Sequence, residues 1–352
     1  MRHKLPDSVN NSKVKSFFWF IIATAIFAAL LLVADPSKIL SSLQKADKIY
    51  IAIAVGTGFM VSVFWSLNWY IFFKSLGIDC SYVTTFQVFM SGQFFNSVTP
   101  LGRFGGQPIM AYLISKNSGS SYEKSLATVM SADLVTVLPM SAYIITGLSY
   151  IVLTGSASSE VTTASLTLLG FLLTGVLIGF LAWFKSGTME KYGFSAIQRL
   201  TELTGYGEKY LEKISAKIDN WEKTLQTIGE NPNTLVYSVC ITGAAFFFRM
   251  ITFYLILTSL GLEMHILKIM LLIPLISFAS ISPTPGGAGT YEAAMAASII
   301  LLIDVSFATA FTITILYRLC TYWQVLTIGY ISTTRLGKIP SKSDINQHTT
   351  RK

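Results

Sequence analysis

Residues 277–298 read SFASISPTPGGAGTYEAAMAAS, and the centre of this stretch holds two prolines, three glycines and one glutamate. The residues on both sides belong to one of the most apolar parts of the chain. Proline removes a backbone donor and glycine weakens a helix, so the pattern predicts two half-helices joined by a turn. Inside a bilayer, such a break is tolerated only where protein or a water-filled cavity satisfies the freed backbone groups. The stretch therefore predicts a discontinuous helix beside a polar site.

The composition sets the fold class. Hydrophobic residues make up 52% of the 352 residues, charged residues only 12%, and the mean hydropathy is +0.57. A soluble domain carries about twice that share of charge. Several windows long enough to cross a bilayer contain at most one charged residue. We therefore expect an all-α polytopic membrane protein.

The composition also limits the chemistry. The three cysteines, Cys80, Cys240 and Cys320, lie far apart without disulfide or metal-ligand spacing, and the three histidines are isolated. The sequence has no GxxxxGK[ST] phosphate-binding loop. Most of the net charge of +8 lies in the polar segments at the two ends of the chain, 1–16 and 334–352, where membrane topology and anionic lipids account for it. The sequence thus predicts no metal, no other cofactor, no catalytic residue and no nucleic-acid partner.

Apolar runs define the predicted spans. Two long apolar regions, Val83–Ile114 and Ile266–Ile303, are interrupted in the middle, and the remaining runs are continuous. The six continuous spans are Phe17–Ala34, Tyr50–Phe73, Ser125–Leu153, Thr163–Phe184, Leu235–Thr258 and Phe307–Tyr330.

The distribution of Lys and Arg predicts the orientation. Residues 1–16 are basic, residues 185–233 carry seven Lys or Arg, residues 334–352 carry five, and residues 154–162 carry none. Basic loops stay on the cytoplasmic side, so both termini and the 185–233 linker are expected in the cytoplasm. The protein itself is expected in the inner membrane of the cell. Residues 17–333 then form one integral membrane domain. The linker has the periodicity of an amphipathic helix on the membrane surface or over the inner mouth of the bundle.

The count of spans closes only if each interrupted region enters and leaves the bilayer on one side. Two re-entrant broken-helix loops satisfy this condition, and so do two full helical hairpins. The limbs of 83–114 are too short for a full crossing of about 30 Å, which favours a re-entrant loop there. The limbs of 266–303 are longer, and both alternatives stay open for this region.

An internal repeat supports the same arrangement. SLGID at 75–79 matches SLGLE at 259–263, and SVTPLG at 97–102 matches SPTPGG at 282–287. The sequence offset is 184 in the first pair and 185 in the second. The repeat predicts halves 50–153 and 235–330 of opposite orientation, an inverted-topology architecture common in secondary transporters.

The broken loops are the predicted substrate site. Free N–H groups at the start of the second half-helix favour an anion such as a phosphate headgroup, whereas a tight packing kink without ligand is the alternative. Arg103 and Arg249 are expected to bind the phosphate, and Glu292 to repel it when ionised or to take up a proton. The predicted substrate-binding set is Asn96, Thr99, Pro100, Arg103, Gly105, Gly106, Gln107, Arg249, Thr284, Pro285, Gly286, Gly287, Gly289 and Glu292.

Asp133 and Arg318 form a second hypothesis. They are separated by the repeat offset of 185 and lie within predicted spans. An inverted repeat brings equivalent positions near its pseudo-two-fold axis, which predicts a contact between them. Such a pair serves either as a structural ion pair or in gating and substrate binding.

The motifs resemble those of a known family. GQFFNSVTPLGRFGGQPIMAYLISK (92–116), SPTPGGAGTYEAAM (282–295) and ILYRL (315–319) are similar to the transmembrane region of lysylphosphatidylglycerol synthase/flippase proteins. The resemblance covers about residues 15–335. It implies the lipid-translocating half without the synthase domain, since only residues 334–352 follow. Many relatives have Gly-Glu followed by Arg where this sequence has Gly106-Gln107, so their substrates do not transfer directly.

These observations lead to one expected function. The protein is expected to act as a flippase-like or scramblase-like transporter of a phospholipid or a polyprenyl-phosphate-linked lipid, not as an enzyme. The open alternatives are a non-catalytic membrane subunit and a membrane-embedded enzyme acting on a lipid-linked substrate. Membrane lipids are the expected partners, and a homo-oligomer stays open.

Overall fold

The computed structural model of the protein describes residues 28–98, 103–155 and 232–336, except positions 281 and 283, together with a few positions between 162 and 170. All regular structure in this part of the chain is helical. Residues 28–33 are helical and precede α1. The helices are α1 (Pro36–Lys45), α2 (Lys48–Ser75), α3 (Tyr82–Val98), α4 (Arg103–Ser118), α5 (Tyr122–Val135), α6 (Val137–Thr154), α7 (Pro232–Ser259), α8 (Ile266–Ile276), α9 (Thr290–Leu302), α10 (Phe307–Arg318) and α11 (Gln324–Leu336).

Among the described residues, three helical segments are long and apolar enough to cross a membrane. They are α2, α7 and the segment formed by α5 and α6, which meet at Thr136. With 28 residues each, α2 and α7 extend about 42 Å, more than the roughly 30 Å of a bilayer core. These segments lie where the spans Tyr50–Phe73, Ser125–Leu153 and Leu235–Thr258 were predicted.

The other predicted spans have different outcomes. The Phe307–Tyr330 span consists of α10 and α11, joined by the π-helical turn Leu319–Trp323. Most of Phe17–Ala34 and of Thr163–Phe184 lies outside the described residues, and so does the 185–233 linker up to residue 231.

The second interrupted region is broken where its prolines and glycines predicted, and the break predicted for the first falls on residues outside the described part. The first consists of α3 and α4; the residues between them, 99–102, lie outside the described part. The second consists of α8, the 3₁₀ turns Ser277–Ser280 and Pro285–Gly287, and α9. We call these two units the first and the second hairpin.

The limbs of each hairpin run antiparallel. In the first hairpin, the Gly106 N–H donates to Asn96 Oδ1 at 2.8 Å, while Gly92 packs on Met110 farther from the turn. In the second, Lys268 Nζ donates to the Leu302 carbonyl at 3.0 Å at the end away from the turn. The first and last residues of each hairpin therefore lie on the same side, opposite the turn. Re-entrant loops and full hairpins share this geometry. The helical limbs of the second hairpin, 11 and 13 residues, are shorter than those of the first, 17 and 16, contrary to the sequence-based expectation.

The helix boundaries recur along the chain at the offsets of the sequence repeat. α2 and α7 have equal length and end at Ser75 and Ser259, an offset of 184. The starts of α3 and α8 also differ by 184, and those of α5 and α10 differ by 185. Ser121 and Ser306 cap α5 and α10 in the same way, each accepting a backbone N–H at 3.2 Å. The repeated motifs therefore correspond to repeated helices.

The equivalent helices α2 and α7 pack against each other in opposite directions. The Thr57 and Thr252 hydroxyls are 2.9 Å apart, and Ser238 Oγ donates to Asn68 Oδ1 at 2.5 Å. Moving forward along α2 from Thr57 to Asn68 therefore means moving backward along α7. This antiparallel pair, with Trp65 on Phe246 between the two polar contacts, forms the centre of the bundle.

Candidate functional site

A cavity of about 170 Å³ lies where the two hairpins meet. Both hairpins contribute polar side chains to it, α7 contributes an arginine, and the region around the π-helical turn contributes a second arginine and aromatic rings. The lining residues are Gln93, Asn96, Ser97, Arg249, Ser277, Ser280, Gly286, Tyr291, Tyr317, Arg318, Thr321, Tyr322 and Val325.

Equivalent positions of the two halves face this cavity. Gln93 and Ser277 are related by the repeat offset of 184, and so are Asn96 and Ser280. Both pairs come from the end of the first limb of a hairpin, next to the break. The cavity is thus built around the two breaks.

Arg318 is held rigidly at one side of the cavity. Its Nε lies 2.9 Å from Glu292 Oε1, and the two side chains are only 9% and 4% exposed. Both terminal nitrogens donate to the Gly286 carbonyl at 3.2 Å. The guanidinium also lies 3.9 Å from the ring centre of Tyr322 and 4.8 Å from that of Tyr291. Aromatic faces favour a cation at these distances, so the charge is fixed in orientation.

The turn of the second hairpin presents the carbonyl that Arg318 binds. Gly286 has φ of 60°, a conformation that suits glycine, and a Cβ there would overlap the Tyr322 side chain. Glycine is therefore required both for the turn and for the close approach of the ring.

Three successive backbone N–H groups after the break already have partners. Gly287 donates to the Thr284 carbonyl and Ala288 to the Pro285 carbonyl, both at 3.1 Å. Gly289 donates to Glu292 Oε2 at 2.7 Å, as in half of a capping box. These three groups are therefore not free to bind a phosphate. These contacts do not test the N–H groups in the first turn of α9, and phosphate binding there stays a prediction. The Glu292 carboxylate contacts the Gly289 N–H and Arg318, so it does not stand free to repel a ligand.

Arg249 provides the second cation. It lies near the middle of α7, is half-buried, and donates from Nη1 to Ser277 Oγ at 3.3 Å. Within the described part of the chain, no carboxylate forms an ion pair with it. Because Glu292 neutralises Arg318, the described side chains around the cavity carry a net charge of about +1.

Asp133 and Arg318 bind different partners. The Asp133 carboxylate accepts from Gln107 Nε2 at 2.8 Å and from Trp69 Nε1 at 3.4 Å. The predicted Asp133–Arg318 contact is wrong, because each side chain contacts the second limb of the hairpin in its own half. Gln107 and Glu292 are also related by the offset of 185, so the two contacts occupy equivalent positions of the repeat.

The comparisons with known proteins agree with the helical architecture. The family model described as lysylphosphatidylglycerol synthase TM region matches residues 20–329. The chain belongs to this family. It is 25% identical over 340 residues to a UPF0104 membrane protein of Methanothermobacter thermautotrophicus, covering 94% of this chain and 98% of the relative. It is 26% identical over 333 residues to a UPF0104 membrane protein of Pyrococcus horikoshii, covering 90% and 96%. The family and the apolar helices make the chain a multi-pass membrane protein.

The cavity includes only part of the predicted substrate-binding set. Asn96, Arg249 and Gly286 line it, and Glu292 supports it through Arg318. Gln107, Gly106, Gly287, Gly289, Thr284 and Pro285 shape the hairpins around it. Thr99, Pro100 and the side chains of 103–105, which include Arg103 and Gly105, lie outside the described part.

Several cavity residues were not predicted. Tyr291 and Tyr322 enclose the Arg318 guanidinium, and Ser277 binds Arg249. Tyr291 adjoins Glu292, and Tyr322 follows Arg318 by one helical turn. Both tyrosines could therefore have been found from their spacing to the charged residues within the membrane segments. The repeat offset would also have connected Gln93 to Ser277.

Proposed function

We propose that this protein moves a phosphate-bearing amphiphilic lipid between membrane leaflets. The headgroup passes through the cavity between the hairpins, and the hydrocarbon tails stay in the bilayer. The observation that carries the proposal is a cavity with two arginines at the meeting point of two broken helices. A phospholipid and a polyprenyl-phosphate-linked lipid share the required chemistry.

The two arginines support a phosphate rather than a neutral headgroup. A guanidinium matches phosphate oxygens with two parallel hydrogen bonds, and it keeps its charge in an apolar environment. A charged side chain within a membrane segment is costly and therefore marks a functional site. Arg249 has its positive charge inside α7, and the Ser277 hydroxyl is its hydrogen-bond partner in the described chain.

The pattern of helices supports alternating access. Equivalent helices α2 and α7 run antiparallel, and the helix boundaries recur at the offsets of the sequence repeat. An inverted repeat would place the substrate site where the broken helices of both halves meet, near the bilayer midplane. The limbs of the second hairpin are short: α8 with the 3₁₀ turn Ser277–Ser280 extends about 24 Å, and α9 about 20 Å, which supports re-entry rather than two full crossings. In this arrangement one half moves against the other around the cavity, with both termini in the cytoplasm.

The proposal can be tested in proteoliposomes that contain a fluorescent phospholipid. Wild-type protein should accelerate its movement between leaflets, as measured by quenching of the outer leaflet. Arg249→Gln should lose most of this activity, and Arg249→Lys should recover only part, because an ammonium group lacks the two-pronged geometry. Arg335→Gln is the matched control, since Arg335 is exposed at the end of α11, away from the cavity.

Three outcomes would contradict the proposal. Folded wild-type protein that leaves lipid movement unchanged would favour a non-catalytic membrane subunit. A chemically altered lipid, detected by mass spectrometry of the same vesicles, would favour a membrane-embedded enzyme. Equal activity of wild-type and Arg249→Gln proteins would remove the cavity from the transport path.

A further inference from the structure

The charge balance of the cavity limits the headgroup that it can take. Arg249 and Arg318 are its cationic residues in the described chain. Each carboxylate oxygen of Glu292 has a partner: Oε1 lies 2.9 Å from Arg318 Nε, and Oε2 accepts from the Gly289 N–H at 2.7 Å. The other described side chains of the lining are neutral: hydroxyls, amides, tyrosines and a valine. One negative charge on a ligand would therefore neutralise the described side chains of the cavity.

We infer that the cavity selects a headgroup with one phosphate and a net negative charge, and that it rejects an aminoacylated headgroup. The inference rests on the proposed lipid translocation and specifies its substrate. A phosphodiester such as phosphatidylglycerol carries one negative charge. Esterification with lysine adds two ammonium groups, which changes the net charge to +1 and places cations beside Arg249 and Arg318. Like charges in a partly buried cavity are strongly unfavourable. The lysylated lipid from which the family takes its name is therefore excluded as the preferred substrate of this chain.

The selectivity can be measured by binding, independently of transport. Purified full-length protein in neutral detergent is titrated with short-chain phosphatidylglycerol, lysylphosphatidylglycerol or phosphatidylcholine, and bound lipid is counted by native mass spectrometry. Wild-type protein should bind phosphatidylglycerol at least about tenfold more tightly than the lysylated lipid, since charge-assisted hydrogen bonds contribute on that order. Arg249→Gln should weaken phosphatidylglycerol binding about tenfold, whereas Arg335→Gln should leave it unchanged.

A charge reversal provides the sharper test. Arg249→Glu should exchange the preference, so that the lysylated lipid binds more tightly than phosphatidylglycerol. Inorganic phosphate and glycerol 3-phosphate serve as headgroup probes without tails. Weaker binding of these two probes than of phosphatidylglycerol at equal concentration supports a lipid site. Binding of inorganic phosphate without binding of any lipid would overturn the inference.

Failure of this inference can be distinguished from failure of the proposed function. Equal or tighter binding of lysylphosphatidylglycerol by wild-type protein would overturn the charge selection, even if proteoliposomes translocate lipids. Absence of translocation for every lipid would overturn the translocase proposal. The binding preference would then still decide whether the cavity selects an anionic headgroup.

Discussion

The ion pair between Glu292 and Arg318 gives the most specific prediction. Arg318→Gln would leave the Glu292 carboxylate buried, with the Gly289 N–H as its remaining hydrogen-bond donor in the described chain. Removing one member of a buried ion pair costs about 3–5 kcal/mol, because the other charge loses its compensation. Glu292→Gln should cost less, about 1.5–3 kcal/mol, because the guanidinium keeps the Gly286 carbonyl and two aromatic rings. The double variant should cost less than the sum of the single losses.

The measurement is a double-mutant cycle on the free energy of unfolding, followed by circular dichroism during denaturation in mixed micelles. We expect a coupling energy above about 1 kcal/mol for Glu292 and Arg318. Asp133→Asn combined with Arg318→Gln is the control cycle, and its losses should add to within about 0.5 kcal/mol. Additive losses in the first cycle would refute the ion pair, and coupling in the control cycle would restore the contact predicted from the repeat.

Three further predictions address other parts of the chain. Gln107→Leu removes the 2.8 Å hydrogen bond to Asp133 and should lower the free energy of unfolding by about 1.5–3 kcal/mol in the same denaturation assay; an unchanged value would contradict this. Ser158→Cys should react with an impermeant maleimide from outside the cell and Ser215→Cys only from the cytoplasm; labelling of both from one side would end the inverted-repeat proposal. Burial raises the pKa of the Cys80 thiol in the connection between α2 and α3, so less thiolate is present at pH 8, and alkylation should be slower in folded than in unfolded protein; equal rates would contradict this.

The helices and the breaks could be predicted because their signals are local. A run of apolar residues as long as Tyr50–Phe73 satisfies its own backbone bonds only as a helix, and α2 covers it. Prolines and glycines at 283–289 interrupt the helix regardless of how the rest of the chain packs, and the structure has a break at Pro285–Gly287. The offset between the two SLG motifs equals the offset between the ends of α2 and α7, since both follow from the same repeated unit.

The partners of the charged residues could not be predicted in the same way. Arg318 has a candidate partner in Asp133 by repeat symmetry and another in Glu292 by proximity to the break. The choice depends on how α10 packs against α9, a tertiary property that the periodicity of either helix leaves open. The sequence pattern also does not predict the π-helical turn after Arg318. Tyr322, which contacts the Arg318 guanidinium, lies in this turn.

The repeat also explains why the cavity is charged on one side. The second limb of each hairpin contacts the following helix through equivalent residues: Gln107 with Asp133 in the first half, Glu292 with Arg318 in the second. The contact is present in both halves although the charges differ, because the side chains of Gln107 and Glu292 have the same length. In the second half the carboxylate neutralises Arg318, and Arg249 adds a cation without a carboxylate partner among the described residues. In the inverted repeat that we propose, the symmetric backbone supplies two equivalent conformations for alternating access, and the unequal side chains place both arginines of the headgroup site in the second half.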